Sequence, residues 1–191
     1  MTLKKLKYSA LAIVIFLITL ELSAILANDF FFEKVAKEEV QKRSLPKVSA
    51  NAIKHTYAAS LVYSGLRNIY FSSDKAKNIT IFLGKINELA ELAFKSPKDS
   101  TLEMMKDLEN NLIGICAARW LEENSDNPLN HDRLDFIGIL AEKKHLIISP
   151  EEIFLQPEEK EQAKKSSNYS AAVKWFSENE PKLSCAERLD L

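Results

Sequence analysis

Ser100-Thr-Leu-Glu-Met-Met-Lys-Asp-Leu-Glu-Asn-Asn-Leu-Ile-Gly-Ile-Cys-Ala-Ala-Arg-Trp-Leu-Glu122 decides how this chain folds. Ser100 followed by Glu103 is a capping box, so a helix begins here. Met104, Leu108, Leu112, Ile115 and Cys116 recur at helical spacing and form an ordinary apolar stripe. Beside it runs a second stripe of Asp107, Asn110, Asn111, Gly114 and Ala118. A glycine inside a helix costs about 1 kcal/mol relative to alanine, so Gly114 is expected where another helix approaches closely. Asp107 and Asn111 share that face and are expected to point inward. Buried without partners they would cost several kcal/mol, so something must pair with them.

Working outward, the same logic yields helices on both sides. Ser49 opens a long helix to about Phe71, and Ser73 caps another from Asp74 to Lys95 that stops before Pro97. Asn124 to Asn130 is rich in turn formers and reads as a loop; His131 to His145 reads as a helix. Ser149-Pro150-Glu151-Glu152 is another capping box, opening a shorter helix. Pro157 to Glu180 is a charged stretch with a final helix carrying Val173, Trp175 and Phe176. Phe30 to Arg43, with three consecutive phenylalanines, forms a helix ended by Pro46. The chain has 191 residues, 46% of them hydrophobic, with only 4 Gly and 6 Pro, which predicts one all-α domain. The expected fold is a single compact bundle of about five to seven helices behind an N-terminal hydrophobic segment. Its divisions are 1–27 as signal peptide or anchor, 28–48 as a charged helical stalk or linker, 49–156 as the core domain and 157–191 as a C-terminal helix and tail. The 26 basic and 27 acidic residues nearly cancel, which argues against a nucleic-acid partner.

Lys4, Lys5 and Lys7 precede an uncharged run from Tyr8 to Leu20, the pattern of a secretory leader. Ala24 and Ala27 offer cleavage positions, Ala27 the better one. The alternative is an uncleaved anchor from Ser9 to Ala27, ~19 residues and just long enough to cross a bilayer. Either way residues 28–191 are expected outside the cytoplasm: periplasmic, secreted, or held at the inner membrane. Cys116 and Cys185 are the two cysteines, so an exported chain would join them, stabilising by ~4 kcal/mol in the chain-entropy picture. Otherwise Cys116 is a small buried hydrophobe and Cys185 a free thiol. The Phe30-Phe31-Phe32 cluster suits a membrane surface, a partner helix or the core equally.

On the first long helix Asn51, His55, Ala58, Ala59, Val62 and Leu66 share one stripe, which makes His55 the natural partner for Asp107. Two readings follow. In one, a buried network fixes helix register. In the other, Asp107 orients His55 as an acid, base or metal ligand, with Asn110 and Asn111 as polarising donors. His131 and His145 lie at helix ends and read as surface structure. No phosphate loop, Gly-x-Ser-x-Gly elbow or His-Glu-x-x-His pair occurs, and these residues specify no cofactor type.

Lys54-His55-Thr-Tyr-Ala-Ala-Ser60, Asn87-Glu88 and Met105-Lys-Asp107-Leu-Glu-Asn110-Asn111-Leu-Ile-Gly114 together resemble an uncharacterised family of bacterial, mostly secreted, all-helical domains. That family's pattern is Arg-His-x-x-x-x-Ala, then His-Glu, then Met-Asp-x-x-Asn-Asn-x-x-Gly. The likeness covers roughly residues 50–145 and implies that Glu88 joins His55, Asp107, Asn110 and Asn111 in one polar set. Lys54 stands where that pattern has arginine, and Asn87 where it has a second histidine, which removes one ligand or base. Three functional classes fit. The first is a non-catalytic envelope protein that works through a protein partner. The second is an envelope hydrolase, with or without a metal, acting through His55, Glu88 and Asp107 on peptidoglycan, lipid or peptide. The third is a secreted toxin or effector domain.

Overall fold

The computed structural model describes residues 30–94, 100–126 and 128–189. The leader or anchor expected at 1–27 lies outside them. Among the described residues are eight α-helices and no strand: α1 over 30–42, α2 Ser49–Asn68, α3 Ser73–Phe94, α4 Thr101–Asn124, α5 Asn130–Glu142, α6 Pro157–Lys165, α7 Tyr169–Asn179 and α8 Cys185–Leu189. No helix among them is long and apolar enough to cross a membrane. The count exceeds the expected five to seven because the C-terminal stretch breaks into three short helices. In addition, Ser149-Pro150-Glu151-Glu152 closes only a 3-10 turn, Pro150–Glu152, where a helix was expected. Its capping box nonetheless forms, with Ser149 N donating to Glu152 Oε1 at 3.1 Å.

Helix α4 is the axis of the fold. It touches α2, α3, α5, α6, α7 and α8, and 18 of its 24 residues are buried, so its polar side chains are inside together with its apolar ones. The start is capped as the sequence demands, Ser100 Oγ accepting from Glu103 N at 3.2 Å. Glu103 gives its own carboxylate to Lys106. Each of three apolar clusters draws on α4. Ile113, Cys116 and Ala117 pack with Ile53, Tyr57 and Ile137; Leu108, Leu112 and Ile115 with Tyr63, Ala76 and Phe176; Leu102, Met104 and Met105 with Ile153, Ala163 and Ala172. Fully burying one such Leu or Ile side chain stabilises by about 1.5–3 kcal/mol.

Two segments expected outside the core enter it. In the 28–48 stretch, expected as a stalk or linker, Ala36 and Val40 of α1 join the cluster built on Ile53 and Ile137. Arg43 ties the end of α1 to α5 through Glu39, Asp135 and Glu142. Beyond 156, Ala163, Ala172, Phe176 and Leu189 are all core residues. A disulfide between Cys116 and Cys185, 69 positions apart, fastens α8 to α4.

The close approach inferred from Gly114 is present. A Cβ built there would lie 2.1 Å from the backbone oxygen of Thr56, so α2 and α4 meet backbone to backbone. That contact sets the rotation of both helices and thereby aims His55 and Asp107.

Candidate functional site

His55 from α2, Glu88 from α3 and Asp107 from α4 converge in the interior, 4%, 3% and 6% exposed. His55 Nε2 lies 3.5 Å from Asp107 Oδ2, and His55 Nδ1 lies 3.8 Å from Glu88 Oε1. The imidazole therefore has a carboxylate at each nitrogen. One atom from each of the three residues can be chosen so that all lie within 4.8 Å of one another. Yet His55 Nε2 and Glu88 Oε1 are buried with no hydrogen-bond partner among the protein atoms, as are five other side-chain atoms, Arg67 Nε and Arg133 Nη1 among them. Native interiors rarely leave such atoms unpaired, because each costs on the order of 1–3 kcal/mol.

Charged side chains surround the centre. Asp107 Oδ1 accepts from Asn51 Nδ2 at 2.9 Å and lies 3.5 Å from Lys106 Nζ, which also pairs with Glu103. Lys54 Nζ is 3.5 Å from Glu91 Oε1. Among the described residues, Glu88, Glu91, Glu103 and Asp107 thus gather around Lys54 and Lys106. Burial, reinforced by Asp107 and Glu91, pushes the Glu88 carboxyl well above the usual carboxylate range. Burial likewise pulls the His55 imidazole below its ordinary value, against the upward influence of Asp107. For Lys106 burial pulls downward, but Asp107 and Glu103 outweigh it and hold the ammonium above the ordinary lysine value.

Two clefts reach the centre from different sides. A polar one of about 680 Å³ is lined by Asn51, Lys54, Glu91, Glu103, Lys106 and Asp107. An apolar one of about 240 Å³ has His55 in its wall with Ala58, Val62, Leu83, Ile86 and Asn111. Lys54 borders both. Tyr57 and Leu108 line neither cleft; they belong to separate apolar clusters.

Not every residue of the expected polar set faces this centre. Asn110 spends its amide on the segment after α5, donating to Ile147 O at 2.8 Å and accepting from Ile147 N at 3.1 Å. Helical geometry explains the split: relative to Asp107, a residue three positions on turns one way and a residue four positions on turns the other. Asn111 goes toward α3, its Nδ2 only 2.8 Å from where a Cβ on Gly84 would sit. Gly84 is therefore a second helix glycine that makes room, one that the sequence reading passed over although its signal is that of Gly114. Asn51, Lys106, Glu91 and Glu103 also escaped the sequence reading as site residues, since exposed helix faces carry the same residue types. His131, with its side chain 75% exposed, pairs with Asp132 away from the centre.

No family model, curated protein or solved structure matches the chain. The functional reading therefore rests on the chemistry of these side chains.

Proposed function

We propose that this protein is an exported hydrolase built on a divalent-cation centre formed by His55, Glu88 and Asp107. The observation that carries the reading is the meeting of His55, Glu88 and Asp107 in the interior, one ligand atom of each within 4.8 Å of the others, with His55 Nε2 and Glu88 Oε1 lacking a hydrogen-bond partner. A divalent cation held at His55 Nε2 and Asp107 Oδ2, with Glu88 as the third holder, would give these atoms a partner. Bonds of 2.0–2.2 Å space tetrahedral ligands about 3.4 Å apart, and His55 Nε2 and Asp107 Oδ2 already stand at 3.5 Å. Held by His55, Glu88 and Asp107, such a cation would supply Lewis-acid activation of water near neutral pH. The polar cleft beside Asp107 supplies entry for water and substrate, and Lys54 and Lys106 stand there to counter charge developing on oxygen. Export is supported by the Lys-rich start and apolar run at 8–20, and by a disulfide suited to an oxidising compartment.

Calorimetric titration with Zn²⁺ and Mn²⁺ tests the centre. One cation per chain at micromolar affinity or tighter is expected, weakened at least a hundredfold by Glu88→Gln and by His55→Ala. Absence of uptake at millimolar metal by the folded wild type would discard the metal centre.

A second reading is favoured by Glu88, which borders neither cleft. In it, protons replace the cation, and the His55–Glu88–Asp107 network sets helix register in a non-catalytic envelope protein. Glu88→Gln separates the two, because the amide mimics a protonated carboxyl: a folded, metal-blind variant with undiminished biological activity would select this alternative.

A further inference from the structure

We infer that the apolar cleft beside His55 holds the acyl chain of the substrate, so that the bond cleaved is the ester or amide linkage at the end of that chain. This rests on the hydrolase reading above and adds the substrate class. The cleft's wall is made by Ala58, Val62, Leu83 and Ile86 with Phe32 of α1 at its border. Polar atoms that line it are largely spent elsewhere: Thr80 Oγ1 donates to Ala76 O at 2.9 Å, and Asn87 Nδ2 donates to Glu91 Oε1 at 3.2 Å. His55 and Asn111 are the polar side chains left to mark one part of an otherwise apolar channel, with Lys54 where it meets the polar cleft.

Shape and chemistry point to a chain and not to a polar substrate. The cleft of about 240 Å³ lies mostly against apolar side chains, so water against that wall forgoes hydrogen bonds that it makes in bulk. A saturated chain needs none. At its border the Phe31 ring packs edge-on against Phe32, centroids 5.5 Å apart. The uncharged run at 8–20 precedes Phe30 closely in sequence, consistent with a substrate drawn from a lipid phase.

Seated this way, the chain would bring its carbonyl past His55 toward Lys54, which borders both clefts, with the leaving group in the polar one. The reaction is a hydrolysis. The water oxygen bonds to the acyl carbon and the carbon–oxygen or carbon–nitrogen bond breaks. One water proton goes to the departing heteroatom, and the other remains with the carboxylic acid product or passes to solvent. No oxidant or reductant enters.

The test separates chain binding from metal binding. Metal-free full-length protein is titrated with 1-decanol and 1-butanol, neutral probes that ask only about the chain. Each buried methylene tightens binding roughly fourfold, so decanol is expected to bind at least a hundredfold more tightly than butanol. Leu83→Asp, on a side chain 43% exposed and therefore tolerant of change, should weaken decanol at least tenfold, and Ala58→Trp should fill the channel and abolish binding. With cation restored, p-nitrophenyl decanoate should be hydrolysed faster than p-nitrophenyl acetate, and Leu83→Asp should erase that preference. Equal affinity for both alcohols, or undiminished decanol binding in both variants, overturns the acyl-chain assignment even where the cation binds. Decanol binding that obeys these expectations in a protein that takes up no metal upholds the assignment of the channel and instead overturns the metal centre.

Discussion

Helix α4 carries two buried ionic groups, and they are built on opposite plans. Two positions after Asp107, Glu109 meets Arg188 of α8, whose Nε donates to Glu109 Oε1 at 2.9 Å while its other nitrogens donate to the backbone oxygens of Leu183 and Glu180. Glu109 has a cation of its own, although burial with Glu180 nearby still pushes its carboxyl above the ordinary range; every guanidinium nitrogen has an acceptor, and the Cys116–Cys185 bridge locks the same two helices. Around Asp107 the carboxylates of Glu88, Glu91 and Glu103 gather with Lys54 and Lys106, and two buried atoms, His55 Nε2 and Glu88 Oε1, have no hydrogen-bond partner among the protein atoms. A saturated cluster has nothing left to offer a ligand, whereas an unsaturated one in the same interior holds chemical capacity in reserve. The difference separates what holds this fold from what works in it.

Breaking the saturated group should cost most. Arg188→Ala strands Glu109 in the interior, and removing one partner of a buried pair typically costs about 3–5 kcal/mol; chemical denaturation should record a loss of that size with metal binding intact. Gly114→Ala comes next. The new methyl would meet the Thr56 backbone oxygen, which cannot swing aside, so α2 and α4 must separate. Overpacking of this kind costs roughly 1–3 kcal/mol, and the upper end is expected. Unlike Arg188→Ala, it should also weaken the cation site, because it shifts His55 against Asp107.

The unsaturated group should respond in the other direction. Glu88 titrates above the ordinary range in the fold, so the native state holds its proton to a higher pH than the unfolded chain does. The stability this contributes is complete below about pH 4.5 and is lost as pH rises through the folded value. In metal-free protein Glu88→Gln should therefore match wild type at low pH and gain on it as pH rises, at up to about 1.4 kcal/mol per pH unit across that window. His55, whose folded value is depressed, makes both proteins lose stability as pH falls below its unfolded value, a shared effect that the difference removes. A flat difference between pH 4.5 and 8 would show that burial leaves Glu88 unstrained.

The same contrast explains what the sequence made legible. Fold class, the α4 cap and the meeting of His55 with Asp107 followed from periodicity and from one glycine out of place in a helix. Helix ends were harder. α2 stops at Asn68 and α5 at Glu142, both short of the expected Phe71 and His145, because Tyr70 and Lys144 adopt left-handed backbone at φ 69° and 62°. Phe71 N then donates to Leu66 O and His145 N to Leu140 O, a Schellman-type closure usually announced by glycine. The Glu109–Arg188 pair gave no signal, since its partners are 79 positions apart and charged pairs on helices are commonplace. Lys106 was hidden for a related reason: burial on all sides of α4 erases the polar face that normally tells inside from outside.

The smallest effect sharpens the comparison furthest. Gly84→Ala would place a methyl 2.8 Å from Asn111 Nδ2, but that atom ends a side chain that can rotate, whereas the obstacle at Gly114 is backbone. Replacing a helix glycine with alanine gains about 1 kcal/mol in propensity, which offsets much of the cost of displacing one amide. Net stability should therefore change by less than about 1 kcal/mol. The cleft should not be so forgiving: Asn111 and Gly84 both line the apolar channel, and rotating the amide places its polar atoms in the space assigned to the chain. Decanol affinity should fall several-fold at an unchanged melting temperature, the reverse of the pattern expected for Arg188→Ala. If stability fell as far as in Gly114→Ala, Asn111 would have to be a fixed structural member of the α3–α4 contact, and the unsaturated region would be more rigid than its unpartnered atoms imply.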